Sequence, residues 1–364
     1  MPLTFHWRLP HGGETSGSTM ASQRSLPAIG LPDLEAQLNF CKHAEQCGID
    51  SLLTDFGFAK PDPILLAATL GMATERIKFI VAYRSGLLSP TAFVQQLNSL
   101  SILIEGRFSL NIVAGYSPPE QRSYGDFLSH DERYERTDEF LSICHALWSR
   151  QGAVSFKGKY YHIENGDLST PFISKDRASP KIFIAGSSPP AQRLALRQGT
   201  CWISLAEPPE RVRKTAQSIS RRGIEVGLRL SVITRSTRKA ARDAAYSLIA
   251  QFDVQDRERK IVGTTDSRMI KQIYHLAESE WLTHCFWTGA VRYIGPTAVA
   301  LVGTPEEVAS AFLEYRESGV SQFVLSGWPK LEEMIRFGRD VLPIIREMET
   351  RSATQAPAYS AAIS

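Results

Sequence analysis

Short apolar runs alternate with helical patterns along nearly the whole chain, falling at residues 3–9, 51–54, 77–83, 108–114, 181–185, 201–205, 228–234 and 322–325. Several are almost continuously apolar, as in Ile77-Lys78-Phe79-Ile80-Val81-Ala82. Strands of a parallel sheet, covered on both faces, read this way. Eight of them with helices between predict an α/β fold, a (β/α)8 barrel with insertions in its loops, over an open sheet.

The helices announce their ends. Leu34, Leu38, Cys41 and Ala44 form an apolar stripe after Pro32-Asp33, and Gly48 closes it. Ser129-His130-Asp131-Glu132 and Thr304-Pro305-Glu306-Glu307 have capping-box spacing, the second with proline at the first helical position. Three segments break the alternation. Residues 11–30 are rich in Gly, Ser and Thr and read as a long loop after the first strand. Residues 153–163 read as a hairpin, and residues 252–296 as an insertion after the seventh helix. Loops that follow strands lie on the barrel face where active sites form, so the long ones are expected lids. Residues 1–351 are read as one domain, and 352–364 as a disordered tail.

Composition narrows the picture. The 43% hydrophobic and 22% charged residues suit a chain of 364 residues with a large buried core. A formal net charge of +3, from 41 basic and 38 acidic residues, leaves no electrostatic footprint for nucleic acid or an anionic membrane. No apolar stretch is long enough to cross a bilayer. Five cysteines show no metal-ligand spacing, so reduced thiols and no metal are expected. With no basic-then-apolar N-terminal segment, the reading is a cytoplasmic protein.

Some residues stand where chemistry is done. Gly186-Ser187-Ser188 lies between a strand and a helix, where backbone N–H groups and two hydroxyls can meet an anion. A plain Ser-capped turn fits those residues equally well. Arg84 ends the third strand, a position from which a guanidinium reaches a ligand. Ala114 ends the fourth strand, where a small side chain admits a flat ring, although core packing explains it too. Arg229 interrupts an apolar strand, and an inward arginine needs a partner or a ligand. No Gly-x-Gly-x-x-Gly follows a strand, so no Rossmann site for a pyridine nucleotide is evident.

Four segments carry a resemblance: Phe5-His6-Trp7-Arg8-Leu9-Pro10-His11-Gly12-Gly13; Ile112-Val113-Ala114-Gly115-Tyr116 with the following His130-Asp131-Glu132-Arg133-Tyr134; Ala185-Gly186-Ser187-Ser188; and Phe323-Val324-Leu325-Ser326-Gly327-Trp328-Pro329-Lys330. In this order and spacing the chain resembles the FMNH2-dependent alkanesulfonate monooxygenases of the bacterial luciferase family. The resemblance implies FMN as FMNH2, O2 as co-substrate, a flavin (hydro)peroxide as oxidant, a separate NAD(P)H-dependent flavin reductase, and a homo-oligomer, dimer or tetramer. It places the FMN phosphate at Gly186, Ser187, Ser188 and Tyr134, with His130 and Ala114 against the cofactor. His11 and Arg229 match a loop histidine and a strand arginine of that family, and Arg84 joins them as a candidate catalytic group.

The departures fall where substrate is handled. Lys60 stands for a cysteine of the sulfonate enzymes, Ser231 for a histidine, Leu205 for a tryptophan, and Trp328-Pro329-Lys330 for Tyr-Pro-His. Serine cannot replace histidine as a base near neutral pH. Substrate recognition therefore reads as rebuilt around Trp328, Lys330, Lys60 and Ser231. Three alternatives stay open: a tailoring oxygenase acting on a larger metabolite, a deazaflavin F420 oxidoreductase, and a flavin-binding relative without catalysis.

Overall fold

A computed structural model describes residues 2–10, 33–57, 60–250 and 257–354. The strands are β1 (Thr4–Arg8), β2 (Ser51–Thr54), β3 (Lys78–Arg84), β4 (Phe108–Val113), β5 (Val154–Lys157), β6 (His162–Gly166), β7 (Ile182–Ala185), β8 (Cys201–Leu205), β9 (Glu225–Thr234), β10 (Phe286–Trp287), β11 (Ala300–Gly303) and β12 (Gln322–Gly327). Eight of them pair in parallel in the order β1-β2-β3-β4-β7-β8-β9-β12, and β12 returns to β1 to close the barrel. These eight are the eight apolar runs of the sequence. The expected hairpin is β5–β6, a separate antiparallel pair.

Alternation along each strand sorts the side chains. On β1, Phe5 packs against Phe312 of the helix Pro305–Glu317, whereas His6 meets Phe183 inside the barrel and Arg8 reaches the mouth. On β9, Leu228, Leu230 and Val232 enter the main core while Arg229 faces the mouth. A small apolar plug of Leu53, Ile80, Ala82, Phe183, Ile203 and Val324 fills the barrel interior below that mouth. Both capping boxes are formed: Ser129 and Glu132 bond reciprocally, as do Thr304 and Glu307. Cys41 is fully buried, as its place on the apolar stripe predicts.

The insertion holds more structure than its sequence announces. It contains helices Arg257–Thr264 and Arg268–Leu276 and the short strand β10, which pairs antiparallel with β11 just beyond it. β9 serves two partners along one edge. Its first half pairs with β8 and its second half with β11, while β12 lies along the opposite edge. Among the described residues no helix is long and apolar enough to cross a membrane. The loop expected at 11–30, most of the tail and residues 252–256 lie outside the described residues.

Candidate active site

The C-terminal ends of the barrel strands enclose a cavity of about 490 Å³, with the insertion contributing Ile261, Ser267, Met269 and Ile270 to its wall. Small-molecule sites commonly occupy such strand-end hollows, with volumes of roughly 300–1,000 Å³.

One end of the cavity lies beyond β7. Gly186 has φ +133, and a Cβ on it would stand 2.7 Å from the Tyr134 hydroxyl and 2.9 Å from the Ala191 Cβ, so only glycine fits. Its carbonyl accepts from the Trp202 indole at 2.6 Å. The following helix, Pro189–Gln198, is capped by the Ser188 hydroxyl. Its first two residues are prolines and bring no N–H, so the helix start offers fewer donors than the sequence reading assumed. The Ser187 hydroxyl compensates: it is buried with no hydrogen-bond partner among the described residues. A buried hydroxyl without a partner is costly unless a ligand meets it. The Tyr134 hydroxyl donates to the Ala185 carbonyl at 3.4 Å, and burial raises its pKa, which keeps it a neutral donor. His130 does not line the cavity. Its ring lies 5.0 Å from that of Tyr134 and its Nδ1 is 2.6 Å from Asp131.

The opposite side, at β1, β2 and β9, is ionic. Asp55, just past the end of β2 and 7% exposed, gathers three cations. Arg8 Nε donates to its Oδ2 at 2.6 Å, Lys60 Nζ lies 3.3 Å from the same oxygen, and Arg229 Nη1 donates to Oδ1 at 3.5 Å. Arg84 is 4% exposed, with Phe56 and Tyr124 rings 4.8 and 5.4 Å from its guanidinium carbon. Its Nη2 meets Glu120 at 3.3 Å, while Nε and Nη1 have no partner among the described residues. Among the described residues Arg8, Lys60, Arg84 and Arg229 outnumber Asp55 and Glu120, the field an anionic group would meet from them.

Burial lowers the Lys60 pKa, and the attraction of Asp55 only partly opposes it. A base depressed on folding costs stability at every pH below its folded pKa, and the cost fades as pH rises toward its ordinary value. Lys60→Met is therefore expected to raise stability by about 0.5–1 kcal/mol at neutral pH. The gain should shrink on going alkaline, which thermal melts across a pH series would register. A melt unchanged or lowered at neutral pH would mean that Asp55 already compensates Lys60 fully.

The structure thus brings Arg84, Arg229, Lys60, Ala114, Tyr134 and Gly186 around one cavity, with Ser187 and Ser188 at the turn behind its β7 end. Three residues expected at substrate stand elsewhere. Ser231 is fully buried, its hydroxyl 3.3 Å from the Thr297 carbonyl and 3.0 Å from the Ser326 hydroxyl, so it ties β9 to its neighbours. Trp328 packs with a separate apolar group that includes Ile233 and Trp287. Lys330 opens the helix Lys330–Arg336 and does not line the cavity. His11 lies outside the described residues. The sequence reading missed Asp55, Glu120 and Asn111, a cavity-wall residue whose Oδ1 has no partner among the described residues. Asp55 had the signal that singled out Arg84, a charged residue at the C-terminal end of a barrel strand.

The family model for luciferase-like monooxygenases matches residues 3–322. Solved structures with the same fold include an EDTA monooxygenase from Chelativorans sp. BNC1, 20% identical over 96% of this chain and 94% of that one, with a TM-score of 0.73. A riboflavin lyase solved with modified FMN and riboflavin is 19% identical over 99% and 94%, with a TM-score of 0.74. An F420-dependent secondary alcohol dehydrogenase is 17% identical over 95% and 100%, with a TM-score of 0.66.

Proposed function

This chain belongs to the luciferase-like monooxygenase family, whose members are flavin-dependent monooxygenases, and on that premise we propose that it takes FMNH2 from a separate NAD(P)H-dependent reductase and uses O2 to oxygenate a small organic substrate. The observation that carries the cofactor reading is the buried Ser187 hydroxyl, without a partner among the described residues, beside Gly186, a position with no room for a side chain. Ser187, Ser188 and Tyr134 would hold the phosphate, and Ala114 leaves room for the flat ring. When bound, reduced FMN supplies the two electrons that let one oxygen atom enter substrate and the other leave as water.

The protein's own part is placement and exclusion. Arg84, with two partnerless nitrogens, and the Lys60–Arg229 pair around Asp55 would orient an anionic substrate group. Ile261, Met269 and Ile270 cover the mouth and keep water out. His11, outside the described residues, stays part of this reading, as do the cytoplasmic setting and the homo-oligomer. For the last, Leu65, Met72, Ile102 and Leu103 leave apolar surface exposed on two neighbouring helices.

A specific feature favours a larger substrate. Phe56, Lys60 and Tyr116 also line a second hollow of about 410 Å³, together with Glu120 and Ser123. A tailoring oxygenase would use both hollows. Anaerobic titration with photoreduced FMN, followed by mixing with oxygenated buffer, tests the cofactor. Tight binding and slowed flavin reoxidation are expected, with product formation across a series of anionic substrates of rising length. Preference for reduced F420 over FMNH2 would overturn the cofactor, and binding without substrate-dependent oxygen uptake would leave a non-catalytic relative.

A further inference from the structure

The three carbonyls of the turn after β7 are all occupied. That of Gly186 accepts from the Trp202 indole at 2.6 Å, that of Ser187 from the Gln192 side-chain amide at 3.1 Å, and that of Ser188 from the Gln192 N–H at 3.0 Å. The N–H groups of Ser187 and Ser188 have no partner among the described residues. The peptides of this turn are trans, and a trans peptide sets its C=O and N–H on opposite sides. Tying back the Gly186 carbonyl therefore turns the Ser187 N–H away from the indole. Tying back the Ser187 carbonyl likewise turns the Ser188 N–H away from the Gln192 amide.

Two different parts of the fold supply the ties. Cys201 and Ile203 enter the apolar plug inside the barrel, so Trp202 between them points outward into the main core, 3% exposed. A buried indole N–H needs an acceptor, and the Gly186 carbonyl is the one it meets. Gln192 is half-buried in the first turn of the helix Pro189–Gln198. Because Pro189 and Pro190 carry no N–H, the turn itself must provide the backbone donors for an anion. A carbonyl free to swing among them would repel that anion. We infer that Trp202 and Gln192 are positioning residues that fix the polarity of this turn, carbonyls held back and N–H groups free, and so make the protein prefer a phosphorylated flavin to riboflavin. The inference rests on the reading that the flavin phosphate lies at Ser187, Ser188 and Tyr134.

Titration of the full-length protein with oxidised FMN and with riboflavin, followed by flavin fluorescence, tests this on wild type, Trp202→Phe and Gln192→Met. Riboflavin carries the ring without the phosphate, so the ratio of the two affinities reads the turn alone. Wild type should bind FMN at least about tenfold more tightly than riboflavin. Trp202→Phe should weaken FMN binding about tenfold and Gln192→Met about fivefold, with riboflavin affinity unchanged in both. Gln192→Met opens no gap in the core, so it keeps the test sound if Trp202→Phe folds poorly. A wild-type preference for FMN that survives in both variants would overturn the positioning role and leave the phosphate reading standing. Equal loss of both flavins would overturn it too, by showing that the two side chains support only the fold or the ring. Equal affinity of wild type for FMN and riboflavin would overturn the phosphate reading and this inference with it.

Discussion

Gly186→Val should weaken FMN binding by at least about a hundredfold, the cost of closing the proposed phosphate cradle. At φ +133 a branched side chain is strained before it touches anything. Its Cβ would then lie 2.7 Å from the Tyr134 hydroxyl and 2.9 Å from the Ala191 Cβ, both closer than real contacts allow. Moving aside would draw Tyr134 off the turn or push back the helix Pro189–Gln198. Either shift separates Tyr134 from Ser187, which together would grip the phosphate. The strain should also lower stability by about 1–3 kcal/mol. Fluorescence titration with FMN, below the melting temperature of each protein, separates the two effects. Wild-type affinity in a folded Gly186→Val protein would place the phosphate somewhere else.

The second large effect is on stability. Asp55→Ala removes the carboxylate that Arg8, Lys60 and Arg229 share, and leaves three half-buried cations facing one another. Breaking a fully buried pair from one side costs about 3–5 kcal/mol. Here the cation side chains are 19–28% exposed, so water recovers part of the loss and about 2 kcal/mol is expected. Urea denaturation would read it directly. In the Asp55→Ala background, Lys60→Met should restore part of the loss, because it removes one of the repelling charges and the two sites are coupled. Added sulfate should also raise the melting temperature of Asp55→Ala more than that of wild type, by binding where the carboxylate was. A denaturation midpoint equal to wild type would show that the cations are hydrated independently.

The two ends of the cavity were unequally legible in the sequence. The barrel strands could be read because a parallel strand covered on both faces leaves an unbroken apolar run, as 77–83 and 108–114 do. The caps could be read because Ser129 with Glu132 and Thr304 with Glu307 act over three residues. β10 and β11 could not, since a two-residue strand has no period and Ala300–Gly303 looks like any apolar turn. The proposed phosphate end lies in one stretch, Gly186-Ser187-Ser188, and its turn was visible; the loss of donors to Pro189 and Pro190 was legible there too, because proline carries no N–H. The ionic side is assembled from β1, β2, β3 and β9, so the cluster around Asp55 has no linear signature, although each member sits at a strand end. Ser231, Trp328 and Lys330 were aligned with family positions, yet Trp328 and Lys330 do not line the cavity, and Ser231, on the same face of β9 as Arg229, is covered where it bonds to Thr297 and Ser326. Alignment carries a position along a strand, while burial is decided by what packs beside it.

The division of β9 has a consequence for how this enzyme can diverge. β8–β9, β9–β12 and β12–β1 complete the barrel without β11, which joins only the outer half of one strand edge. The stretch from Arg257 to Gly303 is thus attached like a cassette, clipped to the sheet by β11 at its far end and resting on the mouth with its helices. Such a piece can be lengthened, shortened or exchanged while the closed barrel and the turn at Gly186 stay untouched. Substrate range and cofactor use can then be inherited separately.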